Sequence, residues 1–176
     1  MPKIIENVNE KLILEGRKTL LEKSYRELNI RDVAANCDIG IGTFYNYFHN
    51  KEEFVAKIFR DDWGNTLNLA DNLKSSTEPL KEKIRKIYLS MQGFVDRYLS
   101  IFYEIAMIKG YERNETESMK LIYTKVEEIL SVEKAEGNIK SRLSAEKLSH
   151  FIVSNLMYLC ESKYISFDEL YDHMNI

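Results

Sequence analysis

Arg31-Asp-Val-Ala-Ala-Asn-Cys-Asp-Ile-Gly-Ile-Gly-Thr-Phe-Tyr-Asn-Tyr-Phe-His-Asn-Lys51 is the stretch whose reading decides the fold. Two short amphipathic runs flank a tight turn. In the first, Ile30, Val33, Ala34 and Cys37 follow the i, i+3, i+4, i+7 spacing of one helical face. Asn29, with Asp32 three residues on, supplies an N-terminal capping signal for it. Asp38 stands where the chain must turn, and Asp enters the left-handed conformation more readily than most non-glycine residues. Gly40 opens the second run, in which Phe44 and Phe48 lie four apart and turn inward. Thr43, Tyr45, Asn46 and Tyr47 are left facing out, Thr43 and Tyr47 on one strip. Asn50 then caps a further helix that carries Lys51, Glu52 and Glu53 in its first turn.

Outward from this stretch the chain reads as helix after helix. Residues 4–23 set Ile5, Val8, Leu12 and Leu20 on a rough apolar stripe. The helix capped by Asn50 runs to about Leu73, with Phe59, Trp63, Leu67 and Ala70 on one line. Lys74-Ser-Ser-Thr-Glu-Pro79 is the clearest break, and Pro79 suits the first turn of the next helix. Leu80, Ile84, Ile87, Met91, Phe94 and Tyr98 keep a 3–4 spacing, and residues 99–109 are denser still in apolar groups. A loop is expected over Gly110–Glu115, then a helix over about 116–135 with Met119, Ile122, Val126 and Ile129, ended by Gly137-Asn138. The helix from about Ser144 to Lys163 carries two apolar lines: Leu148, Ile152, Leu156 and Leu159 on one, Val153, Met157, Cys160 and Tyr164 on the other. A helix apolar on two faces must be covered on two sides. One cover is expected to be the chain's own core and the other a second subunit. Ser166 caps a last short helix with Phe167, Leu170 and Met174. About nine helices result, an all-α chain.

Composition agrees. Of 176 residues 44% are apolar and 30% charged, a soluble globular balance, and seven Gly with two Pro are too few for a strand-rich fold. No run approaches the roughly 20 apolar residues that span a bilayer. Met-Pro-Lys-Ile-Ile-Glu at the N-terminus lacks the apolar region of a signal peptide. Cys37 and Cys160 lie far apart among apolar neighbours and read as reduced thiols, so a cytoplasmic location is expected. Residues 1–60 hold 10 Lys/Arg against 9 Asp/Glu, while the chain as a whole has a net charge of −3. This is not a basic arm that binds nucleic acid by charge alone.

Catalysis finds no footing. His49, His150 and His173 are isolated in sequence, and no Cys/His spacing suggests zinc. There is no Gly-rich phosphate loop, no nucleophile elbow and no carboxylate pair with a supporting His. Neither an enzyme nor a metal or cofactor is expected.

Two helices joined by a tight turn, the second presenting polar and aromatic groups, is how a recognition helix is offered to a DNA major groove. Tyr and Thr hydroxyls can bond phosphate oxygens, and Asn can read adenine bidentately. Lys51 stands at a helix N-terminus, where free amides and the helix dipole already favour a phosphate. Glu22-Lys-Ser-Tyr-Arg-Glu-Leu-Asn-Ile-Arg-Asp-Val-Ala34, followed by Gly42-Thr-Phe-Tyr-Asn-Tyr-Phe-His-Asn-Lys-Glu-Glu-Phe54, resembles the DNA-binding head of the tetracycline-repressor (TetR) family over roughly the first 60 residues. The resemblance implies phosphate clamps at Tyr45 and Lys51, groove contacts from Thr43 and Tyr47, and a backbone or base contact from Arg31. Gly42 and Asn46 complete the expected DNA-facing set with Ile41, which meets either a thymine methyl or the core stripe. The sequence departs from the family pattern at Asp38, Gly40 and Ile41. It also has no Arg or Lys on the recognition helix, so affinity would rest on phosphate contacts and dimer geometry.

By the same resemblance, residues 1–50 form a helix-turn-helix head and residues 51–176 a sensing and dimerisation body, in a chain that binds double-stranded DNA as a homodimer without a membrane. A small-molecule effector would enter a cavity among the middle helices. Trp63, Tyr88, Met91, Phe94, Phe102, Tyr103, Met107, Tyr123 and Met157 are its possible walls, though aromatic and Met stripes at helical spacing are also what a core looks like. Glu104 either selects a cationic ligand or faces solvent. The two-faced helix near 144–163 and the short final helix look like the family's dimerisation pair, through Leu148, Ile152, Val153, Leu156, Met157, Leu159, Cys160 and Tyr164. The implied function is a transcriptional repressor released from a pseudo-palindromic operator by its ligand. The alternative is a co-regulator that uses the same fold to bind protein.

Overall fold

The structure, a computed structural model, describes residues 7–109, 117–174 and 176, the side chains of 117–119 excepted. The expected roles of Ile5, of the Gly110–Glu115 loop and of the Met119 side chain lie outside the described residues. Eight helices and no strand are present among the described residues: α1 (Val8–Glu22), α2 (Ile30–Asn36), α3 (Ile41–Tyr45), α4 (Lys51–Lys74), α5 (Leu80–Lys109), α6 (Glu117–Ala135), α7 (Ala145–Ser162) and α8 (Phe167–Met174). The count falls short of nine because the dense stretch 99–109 continues α5. No Gly or Pro stands between Gly93 and Lys109, so nothing breaks the hydrogen-bond ladder there.

The chain divides into two compact units. The first comprises α1–α3, α4 as far as Asp61 and α5 from Arg97; the second comprises α4 from Asp62, α5 as far as Asp96, and α6–α8.

In the first unit Leu12, Leu20, Leu28, Val33, Phe44, Phe54, Ile58 and Tyr98 are all but sealed from solvent. Burying a side chain of this kind stabilises by about 1.5–3 kcal/mol. The rings of Phe44, Phe48 and Phe54 make the centre, with centroids 4.9–5.5 Å apart. Gly16 lets α1 approach α4 over the Phe54 ring, where any Cβ would collide. Phe59 packs edge-on to Tyr98 and Phe102 of α5, 4.9 Å from each.

In the second unit α6 lies along α7, with Ile122, Val126, Ile129 and Leu130 buried on the α6 side. Within one chain α7 buries its first apolar line completely and its second in part, Met157 staying half-buried and Tyr164 exposed. Leu148, Ile152, Leu156 and Leu159 are buried, and so are Val153 and Cys160. Beside the second line, Lys163 pairs with Asp96 of α5 at 2.7 Å, and Tyr88 stacks on Phe167 of α8 at 5.4 Å. Burial, with Asp96 adding to it, pushes the Cys160 thiol up to about 12, so it is an inert packing group. Lys83 donates to Glu133 at 2.7 Å with both side chains buried, and Asn138 donates to the other Glu133 oxygen at 2.8 Å. Both carboxylate oxygens are thus bonded, which a buried charge requires.

Candidate nucleic-acid interface

Local sequence builds each piece of the surface. The Asn29 side chain accepts from the Arg31 amide at 2.9 Å and so caps α2. α2 ends in a Schellman motif: the Asp38 amide bonds to Ala35 O at 3.0 Å and the Ile39 amide to Ala34 O at 3.0 Å. The motif needs a left-handed residue, and Asp38 supplies it at φ 57°. Gly137 does the same at the end of α6, where the Asn138 amide bonds to Glu133 O. Gly40, in extended conformation, then precedes α3. α3 has only five residues, and Phe44 is the one it buries. Asn50 caps α4 by accepting from the Glu53 amide at 2.8 Å, while Glu53 accepts from the His49 amide at 2.8 Å. These His49 contacts hold the Glu53 carboxyl below the usual carboxylate range.

The outward set is largely where the sequence reading put it. Arg31, Gly42, Tyr45, Asn46 and Tyr47 are exposed, and Thr43 is half-buried. Ile41 is 38% exposed, which removes the core alternative and leaves its side chain on the surface of α3. Gly42 has open space where a Cβ would stand, so no internal contact demands a glycine there. Glycine within a helix costs about 1 kcal/mol relative to alanine. What it provides here is bare backbone on the outer surface.

Lys51 is half-buried, and its ammonium turns back onto the head. It donates to Arg26 O at 3.3 Å and lies 4.6 Å from the centre of the Tyr25 ring. Burial pulls its pKa down. The same turn is held from its other end. Ser24 Oγ accepts from the Glu27 amide at 3.1 Å, and Glu104 of α5 accepts from the Tyr25 amide at 2.8 Å and the Arg26 amide at 3.1 Å. The Tyr25 hydroxyl donates to Glu52 at 3.1 Å, and Glu52 pairs with Lys109 at 3.1 Å. Burial first, then Glu52 and Glu104, pushes the Tyr25 phenol up to about 12. Glu104 therefore neither selects a ligand nor faces solvent; it is an anchor of the head. Its partners are backbone amides, which leave no mark in the sequence.

The residues expected to enclose an effector separate. Trp63, Tyr88 and Met91 are buried, with Trp63 edge-on to Phe94 at 5.0 Å. Phe102, Tyr123 and Met157 are half-buried, and Tyr123 stacks on His150 at 4.2 Å. Tyr103 and Met107 lie on the surface at 59% and 82% exposure, on the face of α5 away from its buried Tyr98 and Ile101, so neither is an enclosed wall. A cavity of about 670 Å³ in the second unit touches none of the nine; Thr77, Lys83, Glu133 and Tyr171 are among its walls. Of the residues expected at a dimer interface, only Met157 and Tyr164 keep exposed surface worth covering. Phe151 and Tyr158, at 44% and 58% exposure, are the large apolar groups that α7 turns outward, and the sequence reading passed over both. Their seven-residue spacing is a helical repeat, but the polar Ser154 and Asn155 between them hide it.

Residues 12–58 match the family described as bacterial regulatory proteins, tetR family. The transcriptional activator DhaS of the dhaKLM operon, from Lactococcus lactis, is 32% identical over 62 residues, which is 35% of this chain and 33% of that protein. The transcriptional repressor DhaR from a Mycobacterium species is 20% identical over 156 residues, or 84% of this chain and 78% of its own. Among solved structures, Salmonella enterica GusR superposes with a TM-score of 0.71 at 12% identity, over 98% of this chain and 96% of that one. FadR from Bacillus subtilis, in complex with stearoyl-CoA, gives 0.62 at 17% identity over 94% of both. The head of this chain, residues 12–58, thus matches the tetR family of bacterial regulatory proteins, and the chain as a whole shares the all-helical fold of these solved structures.

Proposed function

We propose that the chain is a homodimeric, DNA-binding transcriptional repressor of the cytoplasm, whose hold on a pseudo-palindromic operator is released by a small-molecule effector. Residues 1–50 serve as the head and 51–176 as the sensing and dimerisation body. The observation that carries the reading is the outer surface of α3. A five-residue helix anchored by Phe44, together with the two residues after it, offers Ile41, Gly42, Thr43, Tyr45, Asn46 and Tyr47 to the outside, and it follows a capped α2 bearing Arg31. No charged side chain stands on α3, so hydroxyl and amide contacts do the reading and phosphate contacts from Tyr45 and Lys51 supply affinity. Stearoyl-CoA in a FadR of the same fold supports an effector for this chain. No helix among the described residues is long and apolar enough to cross a membrane.

Salt-dependent DNA titration tests the clamps. Lys51→Ala is expected to weaken binding to all sequences alike and to flatten the slope of log affinity against log salt by about one unit. Tyr45→Phe should weaken binding similarly without altering that slope. Full-strength binding by both variants would contradict these assignments.

The exposed face of α7 is the surface on which a twin would dock, with Phe151, Tyr158 and the neighbouring Tyr164, whose ring lies 5.8 Å from that of Tyr158. Wild type is expected to sediment at twice the 20.7 kDa of one chain at micromolar concentration. The double variant Phe151→Glu, Tyr158→Glu is expected to sediment as one chain, since like charges would face each other across a two-fold axis. A dimer unaffected by the pair would place the interface elsewhere.

A further inference from the structure

Residues 25–28 form one helical turn between α1 and α2, closed by the Leu28 amide on Ser24 O at 3.1 Å. The first amides of any such turn lack internal partners and concentrate partial positive charge. Here each has one. The amides of Tyr25 and Arg26 donate to the two oxygens of Glu104, and that of Glu27 to Ser24 Oγ. Arg26 adds its guanidinium, with Nε 3.6 Å from Glu104 Oε1. On the far side of the turn Lys51 takes the carbonyl of Arg26 at 3.3 Å. Immediately after the turn come buried Leu28, the Asn29 cap and Arg31 on the first turn of α2. The turn that leads into α2 is thus bonded by a carboxylate 79 residues from Tyr25, outside the segment that matches the family.

We propose that Glu104 is a positioning residue for DNA recognition: it fixes the 25–28 turn so that Arg31 and the α3 surface meet one DNA register. The proposal rests on the DNA-binding reading above. It touches no DNA itself, and its charge has the wrong sign to help. Removing a negative charge from a DNA-binding head, by itself, strengthens attraction to any duplex. A positioning role demands the opposite outcome on the preferred duplex, so the sign separates the two.

The test uses the full chain and a duplex that the wild type selects from a randomised pool, with an unrelated duplex of equal length as reference. In E104Q, and more so in E104A, affinity for the selected duplex is expected to fall by about ten-fold while affinity for the unrelated one is unchanged or rises. Hydrogen exchange at the Tyr25 and Arg26 amides is expected to quicken by about ten-fold or more in E104A, with the Val33 and Phe44 amides still protected as evidence that the head remains folded. A variant that retains the full wild-type preference overturns the positioning role alone, as does unchanged exchange at Tyr25 and Arg26. A wild type that selects no duplex contradicts the regulator reading itself, and the proposal falls with it.

Discussion

Phe44→Ala is expected to destabilise the head by about 3–5 kcal/mol and to abolish sequence-preferring DNA binding. Five residues are far too few for a helix to persist in water on its own. α3 exists because Phe44, fully buried, is gripped by Phe48 and Phe54 at ring separations of 5.5 and 5.1 Å. Alanine would remove the ring and leave a cavity that a neighbouring pair of packed aromatics cannot collapse to fill. Because a domain's whole stability is about 5–15 kcal/mol, the loss is a large share of it. Urea unfolding followed by circular dichroism reads the first effect and fluorescence anisotropy the second. Tyr45→Phe is the control, since its ring is half exposed and its loss of one hydroxyl should leave the midpoint unmoved. A loss below about 1 kcal/mol for Phe44→Ala would mean that α3 is held by something other than this ring.

Gly16→Ala should run against the ordinary rule for helices. Alanine in place of glycine in the middle of a helix normally gains about 1 kcal/mol. At Gly16 the new methyl would overlap Phe54 Cζ, stand 2.5 Å from Phe54 Cε1 and lie 3.0 Å from Ile58 Cδ1. The Phe54 ring has no room to swing aside, since it is fully buried and bounded by Phe44 and Phe48. Overpacking of this kind costs about 1–3 kcal/mol, so a net destabilisation of that order is expected in the same unfolding assay. Gly64→Ala is the matched control. A Cβ there meets nothing within 4 Å, so that substitution should be neutral or stabilising. If the two substitutions behave alike, the close approach of α1 to α4 is not as described.

What the sequence revealed and what it hid follow one physical division. Caps, turns and inward rings are local and legible in the sequence: Asn29, Asn50 and Ser166 each accept a capping amide in the structure. The outward set on α3 and just after it follows from the same logic, because placing Phe44 and Phe48 inside leaves Tyr45, Asn46 and Tyr47 outside. Ile41 was undecided because position on a stripe cannot say where the stripe ends, and α3 stops short of making it core. Periodicity also shows that α7 has two apolar lines without showing what lies over each. The first is buried along its length, the second opens at Met157 and Tyr164, and Phe151 and Tyr158 also face outward. Glu104 was the hardest to read. A carboxylate that bonds backbone amides 78 and 79 residues away has no partner residue type to search for.

The central claim is that this head reads DNA sequence. Its most direct test is a competition titration of the wild-type chain, at physiological salt, between a duplex it selects from a randomised pool and an unrelated duplex of the same length. Preference by about a thousand-fold or more is predicted, the lower range for specific recognition. Equal affinity for the two duplexes would contradict the account and favour a co-regulator that uses this fold to bind another protein.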